Sequence, residues 1–245
     1  MQKTEKLIKY GDWMDYVLRS ISGPLSRLLS RLGASANSVT VFRFILMFFV
    51  MYLFSRGKVY LIFTAGILLQ LCDILDYVDG DLARLNNKTS KLGEWLEYFE
   101  NNLQGSTGSL LGFFIILGIF RATPDLNIWI LLFFLVFGMH MKKALIFTPI
   151  KSSGWVFNMF NPGSSGEFQN TMDKNLFLKV SKMFVWLSTR DINLIFLASI
   201  LTPALYNLYG FLPLYFALLV VAIAHNITWF GIAFFQFKYL FEVNK

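Results

Sequence analysis

Six stretches of this chain, about 38–55, 59–85, 91–120, 126–147, 191–209 and 211–237, are each apolar over the length a helix needs to cross a bilayer. About 20 residues suffice, because a helix rises ~1.5 Å per residue and the hydrocarbon layer is ~30 Å thick. In lipid every backbone N–H and C=O must be satisfied within the chain, which leaves the α-helix as the form for such runs. The expected fold is an all-α integral membrane protein of six transmembrane helices. Hydrophobic residues are 56% of the 245 and the mean hydropathy is +0.54, more than a soluble core of this size requires.

Ahead of the first run, residues 10–33 alternate Trp13, Tyr16, Leu18, Ile21, Leu25, Leu28 and Leu32 with Arg19, Arg27 and Arg31. That pattern predicts an amphipathic helix lying on the membrane surface, so 1–37 reads as a cytoplasmic juxtamembrane segment and 38–245 as the transmembrane domain. Asn37 or Ser38 is the expected cap of the first span. The polar stretch 148–190 reads as a cytoplasmic loop, with a second interfacial helix over Leu176–Leu187. No short apolar run with a cleavage site opens the chain, so no signal peptide is expected. One cysteine, Cys72, excludes a disulfide framework.

The net charge of +7 raises nucleic-acid binding, but the basic residues fall between the apolar runs and not in a stripe with interleaved aromatics. With the N-terminus inside, segments on the cytoplasmic side hold 18 Lys and Arg and those on the opposite side hold three, Arg43 lying within the first span. That asymmetry predicts cytoplasmic N- and C-termini in the cell membrane.

The second run breaks the apolar pattern with Asp73-Ile74-Leu75-Asp76-Tyr77-Val78-Asp79-Gly80-Asp81-Leu82-Ala83-Arg84. Each charge at a helix centre costs roughly 2.5–3.5 kcal/mol on insertion, so such a cluster marks function. Asp76, Asp79, Gly80, Ala83 and Arg84 share one helix face, and Gly93, Glu97 and Asn101 share a face of the next run. A short link turns the chain back, so the two faces are expected to meet. Carboxylates gathered this way suit a hard cation such as Mg²⁺ or Mn²⁺, and two such ions clamp the oxygens of a phosphoryl transfer. A structural ion-pair cluster around Arg84 is the plainer reading, as is cation transport. Against transport, the chain shows no repeat symmetry or paired broken helices.

These residues resemble the signature of the CDP-alcohol phosphotransferase family, D-x2-D-G-x2-A-R followed by G-x3-D-x3-D. Six of the eight positions agree, with eight residues between Arg84 and Gly93. Ala36-Asn37-Ser38-Val39-Thr40-Val41-Phe42-Arg43 is similar to the family's P-N-x2-T-x2-R, with Ala36 in place of proline. The resemblance is specific over about 10–105. It implies that an acceptor hydroxyl attacks the β-phosphate of a CDP-alcohol at the cytoplasmic face and releases CMP, in phospholipid synthesis. CDP-diacylglycerol is the favoured donor, with CDP-choline or CDP-ethanolamine and diacylglycerol the rival pair. By position, Asp76, Asp79 and Glu97 ligate the metals, while Asn37, Thr40, Gly80, Ala83, Arg84 and Gly93 hold the cytidine diphosphate. The family also implies a homodimer.

Two positions depart from the signature. Glu97 replaces an aspartate and keeps its charge with a longer reach. Asn101 stands where the family has its catalytic base, and a neutral amide cannot accept a proton. Glu97 or Glu100 is the alternative base, although Glu94 and Glu100 also read as a headgroup-facing edge. A family member that binds CDP-lipid and metal without efficient turnover is the other outcome. Lys142, Lys143 and Arg190 read either as topology determinants or as contacts to an anionic acceptor. His140 and His225 have no ligand spacing and read as core or helix-end histidines.

Overall fold

The computed structural model describes residues 13–85, 91–103, 107–146 and 176–243, and every element among them is helical. In chain order they are α1 (Trp13–Arg31), α2 (Ala36–Ser55), α3 (Val59–Leu85), α4 (Lys91–Leu103), α5 (Leu110–Ala122), α6 (Asn127–Ile146), α7 (Leu176–Thr189), α8 (Asp191–Tyr209) and α9 (Leu212–Val243). Five of these, α2, α3, α6, α8 and α9, are long and apolar enough to cross a membrane, and α5 is a shorter apolar helix. The chain is thus built as a multi-pass membrane protein.

The third expected span, 91–120, is not one helix. It divides into α4 and α5, with Thr107-Gly108-Ser109 turning between them. Gly105 to Ser109 is rich in glycine, serine and threonine, which favour turns over helix interiors, and α4 itself carries Lys91, Glu94, Glu97 and Glu100. The apolar content that suggested a continuous span belongs mainly to α5. The cap of α2 also differs from expectation. Ser35 is the N-cap, and its side chain accepts from the Ser38 N–H while Ser38 Oγ accepts from the Ser35 N–H. This reciprocal capping box needs a residue three positions on, which moves the cap two residues ahead of Asn37.

At ~1.5 Å per residue, the 27 residues of α3 extend about 40 Å, some 10 Å more than the hydrocarbon layer. Its C-terminal turns are covered by α1, which buries Leu18, Ser22 and Ser26 and packs Leu25 and Leu29 against Val78 and Leu82. Ser22 Oγ donates to Asp81 at 3.3 Å, Arg19 stands 3.7 Å from the same carboxylate, and its guanidinium lies over the Tyr77 ring. The polar stripe of α1 is therefore part protein contact, a role that amphipathicity alone does not distinguish from headgroup contact.

Elsewhere the bundle closes at small residues, as helices in lipid do when no hydrophobic gain is available between them. A Cβ on Gly66 of α3 would lie 2.5 Å from Ser199 Cβ of α8, and one on Gly118 of α5 would lie 2.0 Å from the Phe54 carbonyl oxygen of α2. Gly138 lets α9 approach α6, where Asn226 Nδ2 donates to the Phe134 carbonyl at 2.9 Å and Gln236 Nε2 to that of Leu145 at 2.9 Å. The core beneath these contacts joins α2, α3, α5, α6, α8 and α9 through Met51, Phe54, Leu69, Ile115, Leu135, Ile195 and Leu214. Phenylalanines such as Phe42, Phe133, Phe216, Phe230 and Phe237 face outward, as lipid-facing residues should.

Gly118→Leu is expected to cost at least about 1–3 kcal/mol, the usual penalty of overpacking, because the new side chain meets backbone that cannot turn aside. Gly23→Ala, which meets open space on α1, is the control and should be neutral or stabilising. Thermal unfolding of the detergent-purified variants checks both.

Candidate active site

Arg43 is the centre of the polar cluster. It sits on the second turn of α2, three residues after Thr40, and is only 6% exposed. Its guanidinium Nη1 bonds Asp76 of α3, its Nη2 donates to Glu100 Oε2 of α4 at 2.6 Å, and Nη2 lies 3.7 Å from Asp79 Oδ2. Thr40 Oγ1 donates to the same Asp79 oxygen at 2.9 Å. Three carboxylates from two helices are thus drawn onto one cation from a third. The α3 aspartates and α4 are thus joined through Arg43, and the α4 residue that takes part is Glu100.

Helix geometry sets each position. Thr40 and Arg43 are one turn apart on α2, and Asp76 and Asp79 are one turn apart on α3, so each pair points to the same side. Glu100 is brought in by α4 packing on α2, where the Phe99 ring stands 5.9 Å from Phe44 and stacks at 5.2 Å on Trp95. Glu100 is 3% exposed, so it is not the headgroup-facing edge that α4's amphipathic pattern suggested. Side chains of Glu97 and Asn101 lie outside the described residues.

Beside the cluster opens a cavity of about 230 Å³. It is lined by Arg43, Asp76 and Glu100, by Cys72 and Asp73 of α3, and by Thr189 to Asn193 where α7 gives way to α8. Asp73, outside the signature positions, lines the cavity and accepts from Gln70 Nε2 at 3.4 Å. Asp191 begins α8. One of its oxygens accepts from the Thr107 N–H at 2.8 Å and Thr107 Oγ1 at 2.9 Å, and the other accepts from the Ile192 N–H. The far wall is therefore tied to the turn between α4 and α5. His225, buried on α9, comes within 4.0 Å of Asp191, a proximity that its isolated position in the chain did not announce.

The other candidates divide. Arg190 lines the cavity. Lys142 is buried and donates to the Ser188 carbonyl at 3.0 Å, so it braces α7 instead of facing a ligand, while Lys143 on the same turn is half-buried. Arg84 is exposed and its Nη2 donates to Asp81 at 2.6 Å, beside Gly80, whose added Cβ would meet the guanidinium at 3.4 Å. Gly80, Ala83 and Arg84 thus stand toward the C-terminal end of α3, about a turn or more from Asp76, and Asn37 stands in the first turn of α2. Gly93 lies in the first turn of α4. Sequence reasoning placed Arg43 only in the entry motif of the first span, with no role at the site, and passed over Asn193. Arg43 had a signal, a lone cation amid an apolar run, which demands a partner in the membrane.

Among the described residues no three His, Cys, Asp or Glu are disposed to hold a metal ion. Asp76 and Asp79 are two hard oxygen donors of the kind that Mg²⁺ and Mn²⁺ take, and Asp76 is about half exposed toward the cavity. The donor chemistry fits such an ion, with Arg43 balancing the same charges in this structure.

The chain matches the family described as CDP-alcohol phosphatidyltransferase over residues 34–156, about half of its length, and belongs to that family. The matched stretch holds Thr40, Arg43, Asp73, Asp76, Asp79 and Glu100, whereas Thr189 to Asn193 lie beyond it. No curated protein matches closely enough to count as a relative. The family's members are phosphotransferases that generally need a divalent metal.

Arg43→Met is expected to lower stability by about 3–5 kcal/mol, the cost of leaving buried carboxylates without their cation. Arg43→Met with Glu100→Gln should recover part of that loss, since one buried charge is then gone. Thermal unfolding in detergent compares the two; equal losses would show that Glu100 carries no share of the pairing.

Proposed function

We propose that this member of the CDP-alcohol phosphatidyltransferase family transfers the phosphatidyl group of CDP-diacylglycerol to an acceptor hydroxyl and releases CMP. The observation that carries the reading is the convergence of Asp76, Asp79 and Glu100 on Arg43 at the wall of a cavity, within the matched stretch. Asp76 and Asp79, with Glu97, would hold Mg²⁺ or Mn²⁺, in two positions by the family's pattern. When bound, the metal supplies Lewis-acid stabilisation of the diphosphate oxygens.

The residues of the chain do the rest. Thr40 fixes Asp79 by its hydroxyl, and Arg43 fixes Asp76 and orients the Glu100 carboxylate. Gly80, Ala83, Arg84, Asn37 and Gly93, on the open side of the motif, receive the cytidine diphosphate. The acceptor oxygen forms a bond to the β-phosphorus as the bond from that phosphorus to the CMP oxygen breaks. The electron pair leaves with CMP, and the hydroxyl proton passes to Glu100. Glu100 takes this role because it is a carboxylate at the cavity, whereas the amide of Asn101 has no proton-accepting form at neutral pH. Charge asymmetry of the loops supports cytoplasmic termini, an active site on the cytoplasmic side of the cell membrane, six spans with α4 and α5 counted as one, and α1 as a surface helix. The homodimer rests on the resemblance alone.

A second reading draws on Asn101. The chain binds CDP-lipid and metal but turns over poorly for want of the family's aspartate.

Purified protein with Mg²⁺ or Mn²⁺ should release CMP from CDP-diacylglycerol in a panel that also pairs CDP-choline and CDP-ethanolamine with diacylglycerol. Asp76→Asn should abolish release. Glu100→Gln should lower kcat by about 10²–10⁴, the contribution of a general base, with the donor KM little changed. If Asn101→Asp instead raises a feeble activity by a comparable factor, the second reading holds.

A further inference from the structure

We propose that Arg19 of α1 is a positioning residue for the nucleotide site: by sharing the Asp81 carboxylate with Arg84, it sets how readily the Arg84 guanidinium is released to a diphosphate. The ligand is that of the transferase reading, on which the inference rests. The contest for Asp81 stands on contacts between α1 and α3.

Two cations meet at one oxygen. Arg84 Nη2 donates to Asp81 Oδ1 at 2.6 Å, and Arg19 Nη1 stands 3.7 Å from the same atom. That is too far for a hydrogen bond but close enough for charge to act. The other oxygen, Oδ2, accepts from Ser22 of α1 at 3.3 Å. Arg19 is kept in place by Tyr77, its guanidinium carbon lying 5.3 Å from the ring centre. Leu25 and Leu29 pack against Val78 and Leu82, so α1 is seated on α3 by apolar contacts as well.

The bond to Asp81 places Arg84 where a diphosphate would come. A Cβ added to Gly80 would lie 3.4 Å from Arg84 Nη2 and 3.7 Å from its Nη1, so the guanidinium covers the bare backbone of a glycine assigned to the nucleotide. A phosphate brought against that glycine draws the guanidinium off Asp81. The carboxylate left behind is only 21% exposed and must find other partners. Arg19 and Ser22 are already at hand, and an anion that keeps one cation beside it gives up another more easily. Without Arg19, Asp81 would hold Arg84 more tightly. Asp81 occupies a position that the signature leaves open, and Arg19 precedes the matched stretch, which begins at residue 34. The contest therefore belongs to this chain and not to the motif.

The test uses full-length protein in detergent, with CDP and Mg²⁺ as the probe and isothermal titration calorimetry as the readout. Asp81→Asn, which frees Arg84, should bind CDP about three- to fivefold more tightly than the unaltered protein, and Arg19→Gln about three- to fivefold more weakly, the range that exposed ion pairs reach. Arg19→Lys should restore most of the lost affinity. Arg19→Gln with Asp81→Asn should match Asp81→Asn alone, because the carboxylate in dispute is gone. Arg27→Gln, which removes an α1 cation that donates to the Gly23 carbonyl, should leave affinity unchanged. Labelling of Arg84 by phenylglyoxal in the absence of nucleotide, followed by mass spectrometry, should run faster in Asp81→Asn and slower in Arg19→Gln. If no variant binds CDP yet labelling follows that order, the contest for Asp81 stands and the transferase reading falls. Weaker CDP binding in both single variants, the result of a merely structural role, overturns the proposal. So do additive effects in the double variant, or labelling rates that do not follow the order.

Discussion

Everything at the polar end of this bundle depends on one buried guanidinium. Arg43 enters from α2 and must be neutralised, because an unpaired cation at that depth would exceed what packing can offset. Asp76 and Glu100 supply the opposite charges, and in doing so hold α3 and α4 at a fixed distance from α2. The same arrangement sets carboxylates beside a cation at the wall of a cavity. Structural necessity and chemical readiness therefore come from a single set of contacts. A carboxylate placed by the fold against Arg43 is thereby also placed at the cavity.

That coupling explains why the plain and the functional interpretations of the aspartates are not alternatives. The ion-pair cluster exists, though around Arg43 and not around Arg84, which bonds Asp81 at the exposed end of the helix. A bundle held only by ion pairs would have no reason to leave a cavity against them. Here Asp76 is half exposed to one, and Asn193 lines it with an unpartnered oxygen.

Much of the architecture was legible because membrane helices are governed by length and hydropathy, both local properties. The α3 boundaries, Val59 and Leu85, coincide with those expected, and α6 and α8 agree to within a residue. The expectation failed at α4, where charged residues and a run of small polar ones were absorbed into an average that α5 dominated. At the site, periodicity told that Asp76 and Asp79 share a face, but it picked Glu97 and Asn101 on the next helix and not Glu100, and it did not tell which helix would supply the cation. Asp73 and the α7–α8 turn were missed as cavity walls for a related reason. The turn stands more than a hundred residues from Asp73 in the chain, and no local pattern announces such a meeting.

The tie between Asp191 and Thr107 closes these elements into a ring. Passing from α4 to α2 through Arg43, from α2 to α3 by the same residue, from α3 to α8 across Gly66 and Ser199, and from α8 back through Asp191 to the turn after α4, the path returns to its start. In a closed linkage no member moves alone. The start of α8 and the turn before α5 are thus fixed to each other, and Arg43 fixes α4 to α2 and α3. The carboxylates that face the cavity are therefore set by contacts that run through several helices and not by any one of them.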